Sequence, residues 1–478
     1  MIDPIPWLIV LPPAWASLAF LLGPGRGGRL AIIGLTLQLA LAFMLAGQLL
    51  TDGARVYAVG GWGAPLGIDL AADGLSALML LLTQTVALAL AIYARAYFAG
   101  GHGGPAAWFW PLTGFLLAAM NALFLSADLF NLYVTLELLG LAAVGLVAAG
   151  GGGTQVAAAL RYLLVSLVAS GAYLLGVALI YATYGTVSIA TLTPLIDAQA
   201  PLAVWLAAGL MALAMMVKTA LFPFHFWLPP AHGSAPAPVS ALLSALVIKA
   251  SFYLLLRLWL GGFEALGAVI AWLPGVLGAA AIIWGSIQAI RASRLKMLVA
   301  YSTVAQIGYL FLIFPLLAGG GLAYQAGAMQ IVSHGLAKAA MFAAVGVLMR
   351  ATGRDTVDSL AGVAGRLPLT LFAFGLAGVT LMGLPPSGGF LAKWLLIDAA
   401  LEQGQWGWAA VVIAGGLLAA AYVFRVIRQA FLLAPPATHF EAVPRRMEWV
   451  AFGLAAASVL LGLRGMELIA LLGVGVAT

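Results

Sequence analysis

The sequence predicts an all-α integral membrane protein of about 14 transmembrane helices, with two inverted five-helix repeats that each contain a broken helix. Three observations carry this. Of 478 residues, 64% are hydrophobic and 8% charged, against about a quarter charged in a soluble domain. Apolar stretches of bilayer-spanning length recur along the whole chain. Two of them are interrupted by proline and glycine at matching positions.

The segment 1–106 holds three spans, 6–23, 30–50 and 75–98. Its start, MIDPIPWLIVLPPAW, lacks a basic n-region and a small-residue cleavage site, so it reads as a first span rather than a signal peptide. Between spans, 55–74 alternates and turns on glycines, as a hairpin-like surface loop does. A first run of five spans fills 107–260: 107–127, 129–149, 156–184, 201–228 and 237–260. A second fills 261–433: 264–289, 296–317, 321–350, 368–400 and 406–433. The segment 434–478 contributes the last span, 447–475. Each run is broken in its fourth span, at MVKTALFPFHFWLPP and at GLPPSGGFLAK. Five is odd, so the second run enters the membrane from the opposite side. Inverted repeats with discontinuous helices place a site near midplane, and membrane-depth breaks need protein or water to satisfy their backbone.

Basic residues test the span count. Connections after odd-numbered spans carry Arg26, Arg29, Arg95, Arg161, Arg291, Arg294, Lys296, Arg350, Arg354, Arg366, Arg425, Arg428, Arg445 and Arg446; the other side carries Arg55, Arg257 and Arg464. A miscounted span would scramble that alternation. The positive side is the cytoplasmic one, which puts both termini on the periplasmic side of a bacterial inner membrane. The net charge of +6 is thereby read as loop arginines that orient the chain, not as a nucleic-acid surface.

Four lysines, Lys218, Lys249, Lys338 and Lys393, fall well inside predicted spans, whereas the arginines lie in the connections or in the span ends beside them. Arginine stays protonated under almost any condition, whereas a desolvated lysine can lose and regain its proton. Charges at membrane depth cost several kcal/mol and are usually functional, so the choice of lysine points to proton handling. Snorkelling at a helix end suits Lys296, but Lys218, Lys249 and Lys338 are flanked by long apolar runs. Glu137 is the one acidic residue well inside a span and is the natural counter-ion; a static structural ion pair is the alternative. Gln330, His334 and Lys338 recur every four residues, hence on one helix face, and histidine titrates near neutral pH. His225 and His232 flank the end of the seventh span, where water can reach. Ser240, Ser244, Ser302, Thr303 and Gln306 can hold water, although membrane hydroxyls often bond their own backbone.

Other chemistry is missing from the sequence. There is no cysteine for a thiol nucleophile or iron–sulfur cluster, no HExxH, and no glycine-rich nucleotide loop after a strand. No metal or cofactor is expected.

The run KTALFPFHFWLPPAHGSAPAPVSALLSALVIK, with YSTVAQIGYL, SHGLAKAAMF and GLPPSGGFLAKW, resembles the antiporter-like subunits shared by respiratory complex I, membrane-bound hydrogenases and Mrp-type cation/proton antiporters. The resemblance spans roughly residues 75–430. It implies a fourteen-helix core, proton passage, and partners among the other membrane subunits of a complex. It also implies roles: Glu137 as the fifth-helix glutamate, Lys218 as its lysine partner, Lys249 and Lys338 as central-axis lysines, His334 as an axial histidine, and Lys393 as the exit-side residue. Two positions depart from the pattern: Pro230 stands where many members are acidic, and Gln330 where many have histidine. The segment between the first break and Lys249 looks closer to the complex I and hydrogenase branches than to the D-type members of Mrp antiporters. An enzyme label such as NADH–quinone oxidoreductase or hydrogenase-type translocase would belong to a parent complex. The implied path runs from the cytoplasm to Lys218, with Glu137 modulating it, then along Lys249, His334 and Lys338 to Lys393. A sodium/proton antiporter subunit without redox role and a non-translocating structural subunit are the alternatives.

Overall fold

A computed structural model of the chain describes residues 3–99, 104–434 and 439–475. The glycine-rich stretch 100–103 lies outside the described residues. Helix dominates every stretch read as a span, with interruptions at 219–223 and 383–387. The loop expected at 55–74 is a hairpin: β1 (Arg55–Ala58) pairs antiparallel with β2 (Asp69–Ala72), Arg55 opposite Ala72.

The first helical element, Pro4–Asp52, keeps helical backbone angles except at Gly23, which has φ 73° and ψ 173°. Trp15 Nε1 nevertheless donates to Gln38 Oε1 at 3.1 Å, and a Cβ on Gly34 would lie 2.5 Å from the Trp15 ring. A straight helix would hold Trp15 and Gln38 about 35 Å apart. The chain therefore folds back at Gly23, and spans 6–23 and 30–50 are the two arms of a helical hairpin.

Among the described residues, eleven helices are long and apolar enough to cross a bilayer. The two broken spans are shorter pieces. The seventh is Leu202–Lys218, then a 3-10 turn at Phe224–Trp227, then Leu228–Ser234. The twelfth, expected at 368–400, is Pro368–Met382 followed by Gly388–Glu402.

Packing sorts the helices by depth. Gly321–Thr352 is buried on all sides along its apolar length, as is the segment Ala237–Leu260. Gly153–Tyr184 and Trp406–Phe431 turn large apolar side chains outward, including Val168 and Leu417. Small residues let inner helices touch. A Cβ on Gly278 would sit 2.7 Å from the Gly308 carbonyl, and one on Gly285 would sit 2.5 Å from the Ala305 nitrogen. Such residues let membrane helices approach closely and gain van der Waals contact. Here they clamp Ala268–Arg291 onto Leu295–Phe311, the helix along which the central polar groups are strung.

Candidate functional site

The sequence-selected polar residues separate into three hydrogen-bonded groups. The first surrounds Lys218, the last residue of Leu202–Lys218. Its Nζ lies 3.3 Å from Glu137 Oε1 and donates to Ser166 Oγ at 2.7 Å. Ser170 donates its hydroxyl to the same Glu137 oxygen. Ser166 and Ser170 are one turn apart on Gly153–Tyr184, so one helix face serves both members of the ion pair. A Cβ on Gly140 would fall 3.1 Å from Ser166 Oγ, so glycine there leaves room for the pair. The Lys218 side chain is 5% exposed and that of Glu137 21%.

The backbone just past Lys218 is held by specific partners, as a membrane-depth break requires. Ala220 takes a positive φ of 59°. Leu221 N–H donates to the Met216 carbonyl at 3.0 Å. Trp227 Nε1 reaches back to the Val217 carbonyl at 2.9 Å while its ring stacks on Tyr162, centroids 4.2 Å apart.

The second group centres on Leu295–Phe311. Lys249 donates to the Ser244 carbonyl, within the π-helical turn Leu243–Val247. Ser244 Oγ lies 2.9 Å from Thr303 Oγ1, and Thr303 donates to the Val299 carbonyl at 3.0 Å. Lys338 donates to that same carbonyl at 2.9 Å and to Ser302 Oγ. Lys338 thus bonds Leu295–Phe311 directly, whereas Lys249 is linked to it only through Ser244, and both lysines are fully buried.

The third group closes on the second break. Gln330 Nε2 donates to Gln306 Oε1 at 3.1 Å, and Gln306 Nε2 to the Leu381 carbonyl at 3.0 Å. Lys393 Nζ donates to that carbonyl at 2.7 Å and to Met382 O at 3.1 Å, and lies 4.3 Å from the Tyr309 ring centre. Carbonyls at a helix C-terminus lack intrahelical donors and carry the negative end of the helix dipole, so Lys393 turns inward to cap the half-helix. Gly383 permits this: its φ is +81°, and a Cβ there would be 2.5 Å from Lys393 Cδ. Ser387 starts the next half-helix by accepting from Phe390 N–H at 3.1 Å.

Val299, Ser302, Thr303, Gln306 and Tyr309 recur at helical spacing on Leu295–Phe311. The second and third groups therefore share one helix face. No hydrogen bond between described residues joins the Lys218–Glu137 group to them. His334 and His232 are 1% exposed, and both ring nitrogens of each lack a partner among the described residues. His225 is half-buried beside the Phe222 ring, with Nδ1 unpartnered.

Some expectations change. His232, placed at a wettable span edge, is buried because the short helix Leu228–Ser234 turns inward after the break. Lys296, read as a snorkelling lysine, is buried and donates to the Ala235 carbonyl just past that helix. Arg294 donates likewise to Gly233 O at 3.1 Å, and Asp355 holds both residues, 2.9 Å from Arg294 Nε and 3.0 Å from Lys296 N. The carbonyl end of a buried helix needs donors, which outweighs the draw of water on Lys296. Ser240 donates to the His232 carbonyl at 2.7 Å. Ser166, Ser170 and Tyr309 are members that sequence reasoning missed. Their signals were a hydroxyl pair at four-residue spacing and a tyrosine continuing the face of Ser302 and Gln306.

Residues 126–419 match the family described as NADH:quinone oxidoreductase/Mrp antiporter, TM. The chain is 38% identical over 445 residues to NADH-quinone oxidoreductase subunit N of Desulforudis audaxviator, covering 90% of this chain and 87% of the relative. It is 29% identical over 389 residues to the D subunit of a Na(+)/H(+) antiporter of Bacillus subtilis, covering 81% and 78%. A chain in the Mrp complex of Dietzia sp. DQ12-45-1b superposes with a TM-score of 0.89 at 28% identity, covering 99% of this chain and 96% of that one.

Proposed function

Because the chain belongs to the NADH:quinone oxidoreductase/Mrp antiporter membrane family, we propose that it is a proton-translocating, multi-pass membrane subunit of a multisubunit respiratory-type or Mrp-type complex. The observation that carries the reading is the Lys218–Glu137 pair, 3.3 Å apart beside a helix break, followed by the buried Lys249, Lys338 and Lys393. We read fourteen crossings in the fold, with two supplied by the Gly23 hairpin and one by each broken span. Residues 107–260 and 261–433 are its inverted repeats, and the arginine-rich side faces the cytoplasm of a bacterial inner membrane, with both termini periplasmic.

In this mechanism a proton from the cytoplasmic side reaches Lys218. Glu137 favours the charged form of the lysine, and Ser170 shares the carboxylate. A charge shift in a neighbouring subunit alters that balance and sends the proton inward. It passes to Lys249, then through water ordered beside Ser244, Thr303 and Ser302 to Lys338, and leaves through Lys393. His334, on the Lys338 helix with no partner among the described residues, is free to relay through water. His225, His232, Gln330 and Gln306 order water beside this route. Gln330 replaces a titrating group with a fixed hydrogen-bond link to Gln306, so the relay there runs through water and amide rather than a second imidazole.

The test is proton uptake into inverted vesicles by the assembled complex. Lys218→Ala and Lys249→Ala are each expected to cut it by about tenfold or more, with assembly intact. Unchanged uptake would sink the mechanism. A second reading, exchange of a monovalent cation for the proton, is motivated by relatives named as Na(+)/H(+) antiporter subunits. Sodium-dependent uptake in the same vesicles separates the two.

A further inference from the structure

We propose that the groove between the second arm of the Gly23 hairpin, the end of helix Gly74–Tyr97 and the start of helix Arg445–Leu460 binds the headgroup of an anionic phospholipid. This groove measures about 570 Å³ and is lined by Arg95, Arg445 and Arg446 together with Pro444, Ile32 and Ile92. Behind it, Arg350 donates to the Ala96 and Tyr97 carbonyls at 3.3 and 3.4 Å and approaches Met447 Sδ at 4.0 Å. Four guanidinium groups therefore gather where one helix ends and another begins. Arg95, Arg445 and Arg446 are exposed and form no ion pair among the described residues. The carboxylate nearest in sequence, Glu448, accepts from Thr370 Oγ1 at 2.8 Å. Glu441, which precedes Arg445 in the chain, is tethered through its backbone N–H to the Ala351 carbonyl at 2.8 Å.

A cluster of uncompensated guanidiniums selects a phosphate, whose oxygens match the guanidinium fork. The first-turn N–H groups of Arg445–Leu460 have no side-chain cap and add a positive helix end. The rest of the lining makes the ligand a lipid rather than a soluble anion. Ile32 and Ile92 continue the groove with apolar surface, Ile92 being 39% exposed, so an acyl chain can lie along them beneath the headgroup. All three lining arginines belong to the arginine-rich side, where clusters of basic residues beside membrane helices attract anionic headgroups. The inference needs that side to meet the cytoplasmic leaflet, and it does not depend on any proton path.

The full-length chain, purified in detergent and stripped of lipid, is incubated with dioleoylphosphatidylglycerol, with dioleoylphosphatidylcholine, or with phosphatidylglycerol plus excess inorganic phosphate. Native mass spectrometry then counts retained lipid. The wild-type chain is expected to retain phosphatidylglycerol about tenfold better than phosphatidylcholine, and inorganic phosphate should not displace it. The triple variant Arg95→Gln, Arg445→Gln, Arg446→Gln should fall to the phosphatidylcholine level. Arg464→Gln, which breaks only the Arg464–Glu467 contact at 2.7 Å, should leave retention unchanged. If the triple variant aggregates, Arg445→Gln and Arg446→Gln are read singly, each with a several-fold loss. Equal retention by wild type and variants overturns the proposal, and so does displacement by inorganic phosphate. Retention by the isolated chain but not by the assembled complex also overturns it, because the arginines would then serve an acidic segment of a neighbouring subunit.

Discussion

At the residue scale, the ion pair is a charge balance with few partners. Lys218 has Glu137 and Ser166; Glu137 has Lys218 and Ser170. Removing the lysine alone strands a carboxylate whose side chain is only 21% exposed, and an orphaned buried charge is worse than none. Lys218→Ala/Glu137→Gln is therefore expected to be more stable than Lys218→Ala by about 1–2 kcal/mol, read as the unfolding midpoint in detergent. Ser166→Ala and Ser170→Ala should each slow proton uptake by several-fold without blocking it, since each removes a hydrogen bond but no charge. Gly383→Ala combines a positive φ with a clash against Lys393. It should cost about 1–3 kcal/mol and impair uptake as Lys393→Ala does, because both displace the same ammonium group.

At the scale of elements, the breaks work because side chains replace lost backbone partners. Trp227 serves the Val217 carbonyl, and Lys393 serves Leu381 and Met382. Trp227→Phe keeps much of the stacking on Tyr162 but leaves that carbonyl unpaired, so thermal unfolding should show a loss of about 1–3 kcal/mol. A second junction lies at the entry to helix Gly74–Tyr97. Its N-cap Asp73 accepts two bonds from Arg257 at 2.5 Å each and one from Ser76 N–H at 2.9 Å. Burial disfavours the Asp73 charge, but Arg257 and the cap hydrogen bonds outweigh it and hold the carboxyl below its ordinary value of 3.8. A depressed folded-state pKa contributes stability that is present above 3.8 and lost as pH falls through the lowered value. Wild type should therefore lose its stability advantage over Asp73→Asn on acidification below that point, measured by unfolding at stepped pH.

At the scale of the molecule, the deepest helices carry Lys249 and Lys338, and the peripheral ones face outward with leucine, valine and phenylalanine. An outward apolar surface of that extent suits lipid or other membrane subunits. A tagged chain recovered from its native membrane in mild detergent should therefore bring membrane subunits with it; recovery of the chain alone would count against the complex.

Much of this was legible from residue types. Apolar length fixed the helices, because backbone in lipid has few other ways to satisfy its hydrogen bonds. Proline and glycine marked both breaks, and the cost of membrane charge singled out Glu137 and four lysines. The tertiary structure decided which groups meet. Spacing along one helix cannot show that Lys338 bonds the Val299 carbonyl while Ser244, the partner of Lys249, meets Thr303 on the same face. Nor can it show that Lys393 turns back onto its own break, that Lys296 is buried, or that the chain reverses at Gly23. Those outcomes depend on close helix contacts and on unpaired carbonyls finding distant donors. Hydropathy counts residues one at a time and carries no record of such pairings.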